Sequence, residues 1–232
     1  MELHAAAGFG DRARFLEHVR SRRPTVGKRA FVLDRCRDRS VLDIGCVDHD
    51  AAQAFDRRRR WLHGEISAVA SSATGLDFLA EDVARLVAAG YDVVAGEAES
   101  FRLERTFDVV VAADVIEHLA DLGAFLQRVA AHVHADSLLV MTTPNPIALA
   151  RFVQALVRNR IAVNEEHTIW LDPSVMHELL RRHGFVPVDF AWLHDDDATG
   201  SVASKVLDAL SAPLLRYRPL LRRSFGIAAR RA

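Results

Sequence analysis

The stretch Val41-Leu42-Asp43-Ile44-Gly45-Cys46 decides the fold, read together with Ala73-Thr74-Gly75-Leu76-Asp77 further along the chain. Val41, Leu42 and Ile44 suit a short strand buried on both faces, as in the middle of a parallel sheet. Gly45 lets the chain leave that strand in a turn that most residues resist. A long helical segment follows, and then a second apolar piece that closes on Asp77. Strand, glycine turn, helix, strand, acid is the layout of a nucleotide site in a doubly wound sheet. The glycine permits close backbone approach, and the acid at the second strand's tip takes ribose hydroxyls.

Composition narrows the class. A chain of 232 residues, half of them apolar and 26% charged, fits one globular domain with additions. A net charge of -1 argues against a molecule built as a whole to hold nucleic acid. The two cysteines, Cys36 and Cys46, make neither a disulfide framework nor a zinc pattern. The N-terminus lacks the continuous apolar core of a signal peptide, and no apolar run is long enough to span a bilayer, so a cytoplasmic protein is expected. Charge is uneven in two places. Arg57–Arg60 reads as a solvated surface run. The tail carries Arg216, Arg218, Arg222, Arg223, Arg230 and Arg231 with no acidic residue after Asp208, interleaved with Leu214, Leu215, Leu220 and Leu221.

The elements follow in order. Residues 11–38 read as two short helices parted by Pro24, the second near Gly27–Cys36. Strand one is Ser40–Ile44, and the helix after it covers roughly Ala51–Ser71, with Trp61, Leu62, Ile66 and Val69 inward and His63 and Glu65 toward solvent. Thr74–Leu76 is strand two and Tyr91–Ala95 strand three, with Gly90 closing the intervening helix. Phe107–Ala113 is a continuous apolar strand four ending in Asp114-Val115-Ile116-Glu117-His118. Asp121 caps the next helix. Strand five, Ser137–Thr142, runs into Thr143-Pro144-Asn145-Pro146, where two prolines enforce an irregular turn. Pro173 opens a later helix, Val186–Trp192 is strand six, and Ser224–Arg230 is the final strand.

With those motifs in order, the chain resembles the class I S-adenosylmethionine-dependent methyltransferases. Val41–Cys46 looks like their first motif, Ala73–Asp77 their second-strand motif, Phe107–Leu119 the fourth strand and its turn, and Leu138–Pro146 the fifth. The likeness runs from about Arg39 to Phe190 and resumes at the C-terminus. It implies an α/β fold: a Rossmann-like, doubly wound sheet of seven strands, mostly parallel with an antiparallel last strand, and helices on both faces. Residues 1–38 would be a helical extension, and residues 39–232 the catalytic domain, with a helical insertion at about 195–223. One departure stands out. The family continues the glycine run after its first motif, whereas this chain reads Gly45-Cys46-Val47-Asp48.

The resemblance implies S-adenosyl-L-methionine as cofactor, held by Asp43, Gly45, Cys46, Asp77, Phe78, Glu97, Ala98 and Asp114. Methyl transfer from a sulfonium needs alignment and exclusion of water, and an oxygen or nitrogen acceptor also needs a base. His118, beyond strand four, and His167, in a polar loop, are the candidate bases. Asn145, His167 and Trp170 are the expected acceptor contacts, and no metal is assigned. The resemblance implies a small-molecule acceptor, a metabolite, a sugar or a lipid-linked intermediate, methylated on oxygen. The basic, leucine-bearing tail would reach a membrane surface or lipid-linked acceptor. Nucleic acid is not expected, since the Asn-Pro-Pro-Tyr type of signature for flipped bases is absent. The lost glycines leave a second reading open, a non-catalytic binding protein with a degenerate cofactor loop. A nicotinamide dehydrogenase would need a glycine pattern that Gly45–Asp48 does not supply.

Overall fold

The computed structural model describes residues 8–22, 24–47, 61–160, 164–194 and 211–232. Its strands are β1 (Thr25–Gly27), β2 (Ser40–Ile44), β3 (Ser72–Asp77), β4 (Val93–Ala95), β5 (Phe107–Ala113), β6 (Val133–Pro144), β7 (Phe185–His194) and β8 (Ser224–Arg231). The helices are α1 (Arg12–Ser21), α2 (Lys28–Cys36), α3 (Leu62–Val69), α4 (Ala80–Ala88), α5 (Leu122–Ala131), α6 (Leu149–Arg158) and α7 (Pro173–Arg182), with a further helical stretch at 211–217. Much of the expected helix from Ala51 to Ser71 lies outside the described residues, as does 195–210 of the expected insertion.

One sheet holds all eight described strands in the order β1-β7-β8-β6-β5-β2-β3-β4. β8 runs antiparallel to both neighbours, and every other pair is parallel. The eighth strand was not foreseen. Thr25–Gly27 adds to the edge beside β7, pairing Val26 with Leu193. A three-residue strand is too short to show the alternation that marks strands in sequence, and Pro24 just before it is compatible with an edge position. The N-terminal segment is therefore part of the sheet as well as a pair of helices.

The apolar runs alternate between two faces. Val41, Val109, Val111, Leu138 and Val140 meet Phe31, Val32 and Cys36 of α2 and Ile66 of α3. Leu42, Ile44, Val110, Ala112, Leu139 and Met141 meet Phe15 of α1, Phe125 and Leu126 of α5, and Met176 and Leu180 of α7. A strand apolar on both faces must be covered on both, which explains the helices on either side. Burying each such side chain stabilises by about 1.5–3 kcal/mol. The Trp192 indole donates to the Val19 carbonyl at 3.1 Å, tying α1 to β7. Asp121 and Asp172 cap α5 and α7 with side-chain bonds to backbone N–H groups.

Register fixes where the chemistry sits. Ile44 pairs with Leu76 on one side and Ala112 on the other. The tips of β2, β3 and β5 therefore end at one level, with Gly45, Asp77 and Asp114 side by side. This is the edge where the strand order reverses direction, the crevice in which open α/β sheets bind ligands.

Candidate active site

Gly45 leaves β2 with φ +79, and a Cβ there would lie 2.6 Å from Val115 Cγ2. Both backbone conformation and space thus demand glycine. The Gly45 N–H donates to the Leu76 carbonyl at 2.8 Å. Cys46 turns inward and is buried, and its carbonyl accepts from the Trp61 indole at 2.7 Å. Burial pushes its thiol pKa up, with the charges of Asp43 and Asp77 adding, so it is an inert packing residue.

Asp77 is buried at the β3 tip. It accepts from the Val47 N–H at 2.9 Å and the Leu79 N–H at 3.1 Å. Burial pushes its pKa up, opposed by those backbone donors. Two donors orient the carboxyl group and leave lone pairs for hydroxyls of a ligand. Phe78, 65% exposed, offers an aromatic face beside it. Gly96 donates to the Asp77 carbonyl at 2.8 Å and leads into the turn that carries Glu97 and Ala98.

Asp114 takes a left-handed backbone, φ +54, a strained state that asparagine and aspartate tolerate best. Its carboxylate accepts from the Lys28 ammonium and, at 2.9 Å, from the Thr142 hydroxyl. Lys28 and Arg29 bring α2 to the edge of the crevice. Next comes Glu117, 4% exposed, which accepts from the Thr143 hydroxyl at 3.0 Å. Its other oxygen has no hydrogen-bond partner among the described residues. Burial first, and then the charge of Asp114, pushes its pKa up to about 7.

The loop holding His167 is fastened over this point. The Thr168 N–H donates to the Glu117 carbonyl at 2.9 Å and its hydroxyl to the Leu119 carbonyl at 2.7 Å. The His118 and His167 rings meet edge to face at 4.7 Å. Burial, and then His118, lowers the His167 pKa. Glu117, His118 and His167 each bring a donor atom within 4.8 Å of the others. A cluster of this kind accepts protons or spans a divalent cation.

A single cavity of about 1030 Å³ joins these groups. Asp43, Gly45, Cys46, Asp77, Phe78, Glu97, Ala98, Asp114, His118 and His167 all line it. Two expected contacts do not. Asn145 is completely buried, and its amide donates to the Leu220 and Arg222 carbonyls at 2.7 Å each while its oxygen accepts from the Ile147 N–H. It holds the C-terminal segment and has nothing left for an acceptor. Trp170 is half exposed outside the cavity, under the Arg151 guanidinium at 5.4 Å.

His63 corrects the other way. Assigned to the solvent side of its helix, it is 1% exposed, lines the cavity and sits 2.9 Å from Asp43. Glu65, assigned with it, is partly buried in an ion pair with Arg29 at 2.8 Å. Apolar periodicity cannot announce a buried histidine, because the pairing that makes its burial tolerable is made with Asp43 of β2, twenty residues away in the chain. Glu117 was legible only as a residue at the active edge, one position before His118. Its burial and unpaired oxygen come from tertiary packing.

A sequence profile described as a methyltransferase domain matches residues 12–189, more than half of the chain. The chain belongs to this methyltransferase family. Among its relatives is a ubiquinone biosynthesis O-methyltransferase of Colwellia psychrerythraea (strain 34H), 21% identical over 177 residues, 71% of this chain and 68% of that protein. Its counterpart from Rhodopseudomonas palustris (strain TIE-1) is 33% identical over 107 residues, 45% of this chain and 40% of that protein. The chain thus spans about two fifths of that second relative. An S-adenosylmethionine-dependent methyltransferase from Mesorhizobium loti shares the fold with a TM-score of 0.55 at 18% identity, covering 88% of this chain and 95% of the other.

This methyltransferase is of class I and S-adenosylmethionine-dependent, and its crevice fits that cofactor. The Gly45 turn leaves open the space that a Cβ would fill, and Asp77 presents an oriented carboxyl group beside an aromatic face.

Proposed function

We propose that this methyltransferase methylates an oxygen of a small-molecule acceptor that carries an apolar body. The observation that carries the reading is the Glu117–His118–His167 cluster, three proton-accepting side chains at one end of the cofactor cavity. S-Adenosylmethionine supplies a methyl group already activated on a sulfonium. The chain therefore has to align the acceptor, exclude water and remove a proton. His167, held neutral by its surroundings, takes the proton from the acceptor hydroxyl as the oxygen bonds to the methyl carbon. Glu117, with a pKa near neutrality and an unpaired oxygen, lies within reach to receive it. His118 packs edge-on against His167 and sets its ring.

The acceptor's apolar body has a matching surface on α6. Among its described residues none is fully buried, and Phe152, Leu156 and Val157 are exposed along one side, with Ile147 just before them. Arg151 of the same helix lies close enough to Glu117 and His167 for its charge to act on both. A phenolic or lipid-linked acceptor would lie with its hydroxyl at the cluster and its apolar part along this helix. The two ubiquinone biosynthesis relatives are named for oxygen as the methylated atom, which supports this choice. In the C-terminal tail Pro219 is buried and Leu220 packs on the core, while Leu214 and Tyr217 are exposed.

The test is a methyl-transfer assay with labelled cofactor on matched acceptors: a catechol bearing an alkyl chain, the same chain ending in an amine, and a simple sugar. Turnover of the catechol, lost in His167→Ala, is the expected result. Turnover confined to the amine would overturn the reading.

A further inference from the structure

Helix α6 carries more apolar surface than the domain itself uses. It has no fully buried residue, and Phe152, Leu156 and Val157 are 63%, 72% and 74% exposed. Phe152 and Leu156 lie one turn apart on one face of the helix. A single exposed leucine needs no explanation, but a run of large apolar side chains along one helix marks a contact surface. Charge accompanies it. From Ser137 to Asn164 the chain has no aspartate or glutamate, and it carries Arg151, Arg158 and Arg160. Arg158 and Arg160 are exposed, and Arg151 sits over the Trp170 ring at 5.4 Å.

A second element adjoins this one. The Asn145 amide donates to the Leu220 and Arg222 carbonyls, and its N–H donates to the Arg223 carbonyl at 2.7 Å, so the C-terminal segment runs beside the start of α6. Leu214 and Tyr217 of that segment are exposed, as are Arg216, Arg218 and Arg223, and no acidic residue follows Asp208. Two stretches far apart in sequence thus meet with one composition, large apolar and aromatic side chains among arginines, without an acidic side chain in either. Tyr217 and the half-exposed Trp170 each combine an apolar ring with a polar group, which suits the boundary between lipid headgroups and acyl chains. No helix among the described residues is long and apolar enough to cross a membrane, so such a contact would lie in the interface plane. A second copy of the chain fits this face less well, because a two-fold pairing sets the same patch against itself and arginine against arginine.

We propose that α6 and the adjoining segment at 214–223 form one face that docks onto an anionic lipid bilayer, with Phe152, Leu156 and Tyr217 entering the interface and Arg158, Arg160 and Arg218 meeting lipid phosphates. The face flanks the cluster at the end of the cavity, since the charge of Arg151 reaches Glu117 and His167. Docking is independent of which atom of the acceptor is methylated.

Vesicle co-sedimentation of the full chain tests it. Vesicles of phosphatidylcholine mixed with phosphatidylglycerol are expected to bring the protein down, and vesicles of phosphatidylcholine alone to bind it at least about tenfold more weakly, since each arginine near an anionic surface strengthens binding about fivefold. High salt should release it. Phe152→Ser combined with Leu156→Ser should weaken binding to the mixed vesicles by about tenfold to a hundredfold. Arg158→Gln combined with Arg160→Gln should weaken it by about tenfold to thirtyfold. Thermal melts matching wild type show that the variants are folded, and if the serine pair melts early the exposed arginine pair carries the test. Wild type that ignores the mixed vesicles, or binds both kinds equally, would overturn the proposal. Unchanged binding in the folded variants would overturn it too. A wild-type dimer that the serine pair dissociates would give this face to a second copy of the chain instead of a bilayer.

Discussion

Replacing Glu117 with Gln separates stability from catalysis through pH. The Glu117 side chain is almost wholly buried, and its pKa stands at about 7 against an ordinary 4.5, first because of desolvation and then because of Asp114. The folded protein thus holds this proton more tightly than the unfolded chain does. Its contribution to stability is fully present below about pH 4.5 and is lost as pH rises through 7. The gap is worth about 3 kcal/mol by pH 8. Glutamine is neutral throughout and can still accept from Thr143, so Glu117→Gln should gain on wild type between pH 5 and pH 8. For a chain of this size about 1 kcal/mol moves Tm by roughly 2–4 °C. Thermal melts at both pH values read the difference, and any constant cost of burying the new amide cancels between them. Activity should move the opposite way. Wild-type kcat/KM should rise through pH 7, and the variant should lose about 10²–10⁴-fold if Glu117 takes part in proton removal. A Tm difference that is the same at pH 5 and pH 8 would refute the burial argument. Unchanged turnover would refute the catalytic one.

Other changes probe the frame. Gly45→Ala should cost about 1–2 kcal/mol for the left-handed backbone alone, with a further clash against Val115, and should weaken S-adenosylhomocysteine binding in calorimetry; a variant as stable as wild type would contradict the turn geometry. Asn145→Ala removes the donor from two part-buried carbonyls and should destabilise by about 2–4 kcal/mol in urea titration. The KM for the acceptor should stay unchanged, whereas a raised KM at normal stability would return Asn145 to the acceptor site. Dialysis against a chelator should leave turnover intact. Activity lost and then restored by a divalent ion would show that Glu117, His118 and His167 hold a metal.

The parts of the molecule legible in sequence are those made by neighbours in the chain. Val41–Cys46, Phe107–Ala113 and Leu138–Met141 declare buried strands because a strand covered on both faces must be apolar on both. Gly45 and Asp77 declare the crevice because a sharp turn and an acid at adjacent strand tips serve a nucleotide. Asp121 and Asp172 declare helix starts because their caps bond within a few residues. Where the partner lies far away, sequence is silent or misleads. Asn145 reads as an acceptor contact at an irregular turn, yet its amide is committed to carbonyls of residues 220 and 222. His63 reads as a solvent-facing helix residue, yet Asp43 on a neighbouring strand makes its burial possible. Glu117 and His167 stand 50 positions apart in the chain, and the Thr168 bonds to the turn after β5 bring them together. Local periodicity records only which face of an element is apolar. The identity of a buried polar partner, and with it the proton affinity and the free lone pair that chemistry uses, is set by the packing of elements that sequence order keeps apart.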